Sequence, residues 1–385
     1  MDSLTHLVAG ALTPLAFPNT PKRAAVLGFG IAVGELPDID VLFGISPEAL
    51  LVLHRGITHS LVWQPVMVLI AVIPFFIWMQ GKAPRRLAAE RDTEICPRPG
   101  AQNSPGFLTM YFMALFAVFT HIYLDCMTTF GTQILLPFSP ARVGLPAMFI
   151  VDLLLTIPAL ILLVRAWRQK ADICLVPAGA GLPPAKGSAD GFAFVSGKSR
   201  HFARIGLAWI LLYPLAALGI NYTATAYLEK NDQGGKRTLL TEPFSPLLWK
   251  SLVDEGDSYS MSTLNLLNPG KDCATERFSK PDAGLYARLK EQLPLFGQFE
   301  QFCSFMVQME RSPSPYARAG HGEKVKEYAF VDMRYLMSPD SPALWIGRTD
   351  PNFVLEARVN EDGSLLAYRF LQRGKDADSK AWTEM

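Results

Sequence analysis

The chain has 385 residues, of which 50% are hydrophobic and 18% charged, with a net charge of +1. The length suffices for two domains, the hydrophobic share is high for a wholly soluble protein, and the balanced charge gives no case for a polyanion-binding protein. The apolar residues are concentrated before residue 222.

In chain order, the first apolar segments are 4–17 and 24–36, separated by Pro18-Asn19-Thr20-Pro21-Lys22-Arg23. Each falls short of a comfortable span and reads as half of a helical hairpin, partly inserted or packed against other helices. The N-terminus lacks the basic region of a secretory signal and has Asp2 in its place, so no cleavage is expected. Segments 61–79, 107–124, 145–164 and 202–222 are each long enough to cross about 30 Å of hydrocarbon as helices of roughly 20 residues. The expected fold is an α-helical multi-pass membrane bundle, with four clear spans plus the N-terminal short hairpin.

Beyond Tyr222 the chain turns polar, and 223–385 reads as a C-terminal soluble domain, α+β or mostly β, following a membrane domain at 1–222. Strand-like runs at 327–331 and 353–359 alternate with turn signals at Asn268-Pro269-Gly270, Ser338-Pro339-Asp340 and Glu361-Asp362-Gly363. Cys273 and Cys303 either pair in an oxidising compartment or remain two free thiols. The Gly- and Pro-rich stretch 174–200 reads as a flexible loop.

Basic residues mark two loops, 80–106 with Lys82, Arg85, Arg86, Arg91 and Arg98, and 165–201 with Arg165, Arg168, Lys170, Lys186, Lys198 and Arg200. The positive-inside rule places both in the cytoplasm, whereas 125–144, whose basic residue is Arg142, belongs outside. The polar residues of the apolar region then gather near the outer face, and the C-terminal domain lies on that same periplasmic or extracellular side.

Four of the six histidines, His6, His54, His59 and His121, lie in or beside the apolar region together with Asp38, Asp40 and Asp125. Polar groups within a membrane are costly and are functional candidates by default. His121 and Asp125 share one helix face, although the same spacing also serves a core hydrogen bond. The Pro37-Asp38-Ile39-Asp40 loop taken alone is as well explained as a turn or cap. Beside four histidines its carboxylates suit a divalent metal, zinc ahead of manganese, with iron also compatible. His59 is either a ligand or a residue that orients one. Arg55 is a candidate to neutralise a substrate phosphate or a developing anion, and an interfacial arginine is the plain alternative. Asp152, inside an apolar helix, needs a partner, which this cluster would supply.

The motifs Thr5-His6, Pro37-Asp38-Ile39-Asp40, His54-Arg55-Gly56-Ile57-Thr58-His59-Ser60 and His121-Ile122-Tyr123-Leu124-Asp125, followed by Thr128-Thr129-Phe130-Gly131-Thr132 and Pro137-Phe138, occur in order over residues 1–165. Together they resemble the YdjM-like family of bacterial inner-membrane proteins, described as membrane-bound metal-dependent hydrolases, with a link to LexA for some members. The resemblance implies a metal held among His6, Asp38, His54, His59, His121 and Asp125. The segment Glu242 to Lys250 resembles one in longer members, with no role attached.

The leading functional expectation is metal-dependent hydrolysis of a lipid or lipid-linked phosphoester at the outer face of the inner membrane. Asp38 or Asp40 would take the proton, with Glu35 as a further base and Arg55 supplying positive charge. The alternative is a non-enzymatic membrane protein in which a structural metal holds helices while the outer domain binds a partner. Transport is a third reading, weakened because the polar groups gather at one end of the bundle. Nucleic-acid binding has little support, since the basic residues lie in topogenic loops without interleaved aromatics.

Overall fold

The structure is a computed structural model that describes residues 1–18, 20–21, 24–42, 46–81, 105–175, 191–231, 236–243, 245–268, 274–311, 325–341, 344, 351–372 and 381–385. The basic loop around 82–104, much of 174–200 and Cys273 of the expected cysteine pair fall outside these residues.

Helices α1 (Ser3–Ala16) and α2 (Ala24–Gly34) form the expected hairpin, with α1 packed against other helices. It packs against α2, α5 (Phe107–Cys126), α6 (Leu153–Arg168) and α7 (Gly197–Asn231), and its residues from Val8 to Ala16 are buried. Gly10 and Gly30 set the α1–α2 distance: a Cβ on either would lie 2.5 Å from the other's carbonyl oxygen. Small residues at such a crossing let the backbones meet, as in membrane helix pairs generally.

After α2 come a 3-10 turn (Pro37–Leu42), the short helix α3 (Pro47–Leu53), a second 3-10 turn (Ile57–His59) and α4 (Gln64–Gly81). The sequence leads to an expectation of four full spans, which the structure meets in part. Among the described residues two helices, α5 and α7, are long and apolar enough to cross a membrane; a third span results if the α3 segment and α4, bent by 73°, count as one. Segment 145–164 falls short because Asp152 ends the preceding loop and caps α6, accepting from Leu155 N–H, which leaves a helix of 16 residues.

Two apolar clusters hold the bundle, one where α1, α6 and α7 meet and one among α2, α4 and α5. A hairpin of β1 (Asp172–Leu175) and β2 (Gly191–Phe194) lies between α6 and α7, and α7 runs on past residue 222 to Asn231.

The C-terminal region is a β-sheet domain. Strands β3 (Lys236–Thr241), β4 (Leu248–Asp254), β5 (Ser258–Asn265) and β6 (Thr275–Ser279) form an antiparallel four-stranded meander. Helices α8 (Ala283–Gln292) and α9 (Pro294–Phe302) follow. The second sheet, in the order β11-β10-β9-β8-β7, contains β7 (Met306–Arg311), β8 (Lys326–Asp332), β9 (Phe353–Val359), β10 (Leu365–Gln372) and β11 (Thr383–Glu384). The expected strand-like runs at 327–331 and 353–359 are thus the neighbouring β8 and β9. One face of this sheet packs on Leu240, Leu252 and Met261 of the first, and the other on α8 and α9.

The helical region and the sheet domain share an aromatic junction. Phe130, from the loop after α5, has ring centroids of Phe302, Tyr335 and Phe353 within 6.4 Å. Arg334 Nη1 donates to the carbonyls of Thr129 at 2.7 Å and Phe130 at 3.3 Å. The sheet domain therefore docks at the end of α5 that carries His121 and Asp125.

Candidate metal centre

The turn after α2 sorts its side chains by polarity. Asp40 is buried and Asp38 mostly so, whereas Ile39, Val41 and Leu42 are exposed, Leu42 at 78%. After α3, Arg55 adopts φ +58°, the left-handed region that costs a branched-chain or bulky residue of the order of 1–2 kcal/mol. This reversal folds the His54 to Ser60 segment around Asp40. Asp40 Oδ2 accepts from Arg55 N–H at 2.9 Å and from Thr58 Oγ1 at 2.9 Å, while Oδ1 meets His54 Nδ1 at 3.1 Å. Three contacts from one loop to one carboxylate explain how an unfavourable backbone angle is held.

Four polar atoms converge beside this loop. His59 Nε2 lies 3.3 Å from Asp38 Oδ1 and 3.2 Å from Asp125 Oδ2; His121 Nε2 lies 3.5 and 3.6 Å from the same two oxygens. All four atoms are buried, and none has a hydrogen-bond partner. Zinc–ligand bonds of roughly 2.0–2.2 Å give tetrahedral ligand-to-ligand edges of about 3.4 Å, which matches these separations. Buried polar atoms are ordinarily paired, so four unpaired ones at this spacing fit a cation better than a hydrogen-bond network.

The other ring nitrogens are tied down, as metal-binding imidazoles require. His121 Nδ1 donates to the Gly34 carbonyl at 2.7 Å, which leaves Nε2 free as an acceptor. His59 Nδ1 faces Thr58 Oγ1 at 3.1 Å and Asp40 Oδ2 at 3.5 Å. The close α1–α2 packing matters here, because a Cβ on Gly34 would press on Gly10 Cα at 3.0 Å and disturb the carbonyl that orients His121.

A second group suited to a cation, Asp38, Asp40 and His54, shares Asp38 with the first. Its His54 ring is 22% exposed. His6 lies outside both groups: its Nε2 meets Asp125 Oδ1 at 3.2 Å and its ring stacks on His121 with centroids 3.5 Å apart. Asp125 Oδ1 is also contacted by the Met1 amine.

Arg55 is buried, and its Nη2 pairs with Asp125 Oδ1 at 2.9 Å while Nη1 donates to Thr128 Oγ1 at 3.0 Å. It therefore faces a carboxylate of the cluster. Asp152 finds its partner away from the cluster, accepting from Tyr213 Oη at 2.8 Å and capping α6, which corrects the expectation that the cluster supplies it. Sequence reasoning missed Thr58 and the Gly34 carbonyl as orienting groups; a Thr beside a histidine and a glycine at a helix end carry no distinctive signal.

Burial alone would raise the carboxyl pKa of Asp38, but the imidazoles of His121 and His59 beside it outweigh burial and hold the group far below the usual range. Asp40 is likewise held low, with His54 and His59 overcoming its burial. Glu35 behaves in the opposite way. Burial pushes its carboxyl up to about 7, with the charges of Asp38 and Asp125 adding to it against that of His121, and its buried Oε1 has no hydrogen-bond partner.

A cavity of about 920 Å³ lies in the sheet domain among Lys280, Asp282, Arg288 and Glu310, away from the cluster. A cleft of about 760 Å³ opens at the domain junction and is lined by Phe130, whose ring lies 5.4 Å from that of His54. The second of these adjoins the chemistry.

Residues 1–226 match the family described as YdjM inner membrane protein. The chain is also 27% identical over 153 residues to the uncharacterized protein YfhP of Bacillus subtilis strain 168, a stretch that covers 38% of this chain and 40% of that protein. The chain thus spans less than half the length of this curated relative. No solved structure matches it. The family match takes in every residue of both carboxylate–histidine groups, together with the loops that orient them and the helices α1 to α6, and the chain belongs to the YdjM inner membrane protein family.

Proposed function

We propose that the protein is a membrane-bound, metal-dependent hydrolase acting on a lipid or lipid-linked phosphoester at the outer face of the inner membrane. The observation that carries this reading is the convergence of four unpaired buried atoms, Asp38 Oδ1, His59 Nε2, His121 Nε2 and Asp125 Oδ2, at metal-ligand spacing. Zinc or manganese suits this donor set. A divalent ion there supplies Lewis acidity toward a phosphoryl oxygen and activates water at neutral pH.

The chain's own groups divide the remaining work. Asp40 and the Gly34 carbonyl fix the orientation of His59 and His121. Arg55 holds Asp125 through Oδ1 and so leaves Oδ2 facing the histidines. Glu35 is the better proton acceptor, because Asp38 and Asp40 are held strongly ionised by their histidines whereas Glu35 titrates near neutrality. The second group, with its partly exposed His54, gives the centre a side open to substrate.

Two observations favour a lipid. The turns that carry Asp38, Asp40 and His59 expose Ile39, Val41, Leu42 and Ile57, and Leu53 at the end of α3 is exposed with them. This apolar skin continues onto Leu61, Val62, Trp63 and the exposed residues of α4, so the centre sits directly behind a surface suited to hydrocarbon. The basic residues of segments 80–106 and 165–201 support, by the positive-inside rule, an outer location for the centre and for the sheet domain docked beside it.

A structural ion is the competing reading, favoured by one fact: four protein ligands close a tetrahedral site. Elemental analysis of the detergent-solubilised protein, beside the His121→Ala, Asp125→Ala variant, tests the centre. The expected result is stoichiometric zinc or manganese in the wild type and its loss in the variant, followed by metal-dependent release of product from phospholipid substrates. Equal metal content in the two proteins, or none in either, would sink the proposal; metal without turnover on any phosphoester lipid would favour the structural role.

A further inference from the structure

The cleft at the domain junction is walled on one side by the loop after α5 and on the other by α9. Its polar lining includes Gln133 and Arg142 from the loop and Gln298 and Gln301 from the helix, together with Arg334, beside the rings of Phe130 and Phe302. Three arginines meet around those two rings. Arg55 lies 4.8 Å from the Phe130 centroid, Arg142 5.8 Å from it, and Arg334 4.9 Å from the Phe302 centroid.

Their charges are not equally balanced. Arg55 pairs with Asp125 at 2.9 Å and Arg334 with Asp332 at 2.8 Å. Arg142 meets no carboxylate among the described residues. Its contacts are neutral carbonyls: Nη1 to His54 at 3.4 Å and Gly131 at 3.3 Å, and Nη2 to Leu51 at 3.0 Å. A guanidinium carries five N–H donors, so these contacts fix its plane and leave further donors for a ligand. Burial, with the charges of Arg334 and Arg55 adding to it, pushes Arg142 down to about 10, so it remains a cation at neutral pH and gains from an anionic neighbour.

Glutamine amides around one uncompensated, part-buried guanidinium form a site for an anion that also accepts neutral hydrogen bonds, and guanidinium suits phosphoryl oxygens in particular. The floor of the cleft is Phe130, whose ring also touches His54 and Arg55, so a ligand seated there is separated from the metal-centre residues by one side chain.

We propose that this junction cleft is a phosphoryl-binding subsite, with Arg142 as its recognising cation and Gln133, Gln298 and Gln301 as its hydrogen-bonding rim. It deepens the hydrolase reading, on which it rests only for the identity of the substrate: the subsite would hold the polar head of a molecule whose apolar part lies in the adjoining bilayer. Arg142, which marked the outer loop as sparsely charged in the sequence, then acquires a role.

The test is isothermal titration of the full-length, detergent-solubilised protein with inorganic phosphate and, separately, with a short-chain phosphatidylglycerol, each with and without a chelator. Arg142→Gln is expected to weaken binding at least tenfold while metal content stays at the wild-type level, and Arg142→Lys to retain part of the affinity. Gln301→Glu, an exposed change that places a carboxylate on the rim, is expected to weaken binding as well and serves if Arg142→Gln fails to fold. Binding should survive chelation, which separates the cleft from the metal centre: untreated protein that purifies without metal and still binds phosphate through Arg142 would refute the hydrolase reading and leave the subsite standing. Tighter binding of phosphatidylglycerol than of phosphate would identify a lipid head, and equal affinities a free phosphoryl anion. Unchanged binding in both Arg142→Gln and Gln301→Glu, or binding abolished by chelation, would overturn the proposal.

Discussion

Arg55 and Asp125, 70 residues apart in sequence, form a buried ion pair with Nη2 2.9 Å from Oδ1, and through it the α3 loop is locked to the end of α5. Removing one member of a buried pair typically costs about 3–5 kcal/mol, because the other charge is left uncompensated. Arg55→Met should therefore lower the thermal stability of the solubilised protein. A divalent ion bound at Oδ2 supplies some of the missing positive charge, so the loss should be larger in chelator-treated protein than in metal-supplemented protein. Thermal melts under the two conditions check this, and an equal loss in both would argue against an ion at Asp125.

Asp40 meets none of the four converging atoms but holds Arg55, Thr58, His54 and His59 in place. Groups that orient a metal-binding histidine are typically worth 10–100-fold in metal affinity. Asp40→Asn is expected to weaken metal binding by roughly that factor without abolishing it. Competition against a chromophoric chelator measures the change, with the exposed Asp254→Asn as the control that should leave it unaltered.

Glu35 supplies a pH signature. Its carboxyl is raised from an ordinary value of 4.5 to about 7, mainly by burial, so between those limits the folded chain keeps a proton that the unfolded chain releases. Stability contributed at this site is full below pH 4.5, falls as pH rises, and levels off above about 7. Glu35→Gln carries no such titration, so the stability difference between wild type and variant, followed by denaturation in metal-free buffer, should change across that window and be flat outside it. A constant difference from pH 4 to 8 would contradict the raised value.

The α1–α2 crossing offers a test of packing. A Cβ at position 30 meets the Gly10 carbonyl and the Pro14 ring, so Gly30→Val has no room without separating the helices. Overpacking of this kind costs about 1–3 kcal/mol. Because the displaced helix also carries the Gly34 carbonyl, metal affinity should fall together with the melting temperature. The exposed Gly219→Ala on α7, where an added Cβ meets nothing, should alter neither.

At the junction, Arg334 donates to Asp332, to Phe302 at 2.5 Å and to the loop after α5. The buried Lys250 Nζ holds the backbone of the same turn through the carbonyls of Met333 at 2.8 Å and Arg334 at 3.3 Å. Arg334→Gln should loosen the domain contact while each domain keeps its own core. Limited proteolysis is expected to cut faster within 129–144, with little change in the circular dichroism of the helices.

The Lys250 contacts also give the Glu242 to Lys250 segment a place in the fold. Glu242 is buried and accepts from Ser338 N–H at 3.0 Å and Ser341 Oγ at 2.5 Å, so both ends of the segment brace the loop that presents Arg334 to the helical domain. Nothing in the sequence ties residue 242 to residue 338, since the connection is made across two sheets.

The sequence alone determined the things that follow from composition and local period: an apolar helical region followed by a β-sheet domain, the strands at β8 and β9, and a polar cluster whose residue types suit a divalent ion. Helix ends were less legible, because Asp152 reads as one polar residue within a span until its hydrogen bond to Leu155 N–H shows that it starts the helix. The division of labour within the cluster was decided only in three dimensions. His6, His54, His59 and His121 are equal candidates as letters, and Arg55 reads as a charge awaiting a substrate. Which nitrogen is free depends on what the opposite ring nitrogen touches, a carbonyl on α2 for His121 and a threonine and a carboxylate for His59. Those contacts join residues far apart in the chain, and they exist because a glycine-lined helix crossing and a left-handed turn at Arg55 bring the segments within hydrogen-bonding distance.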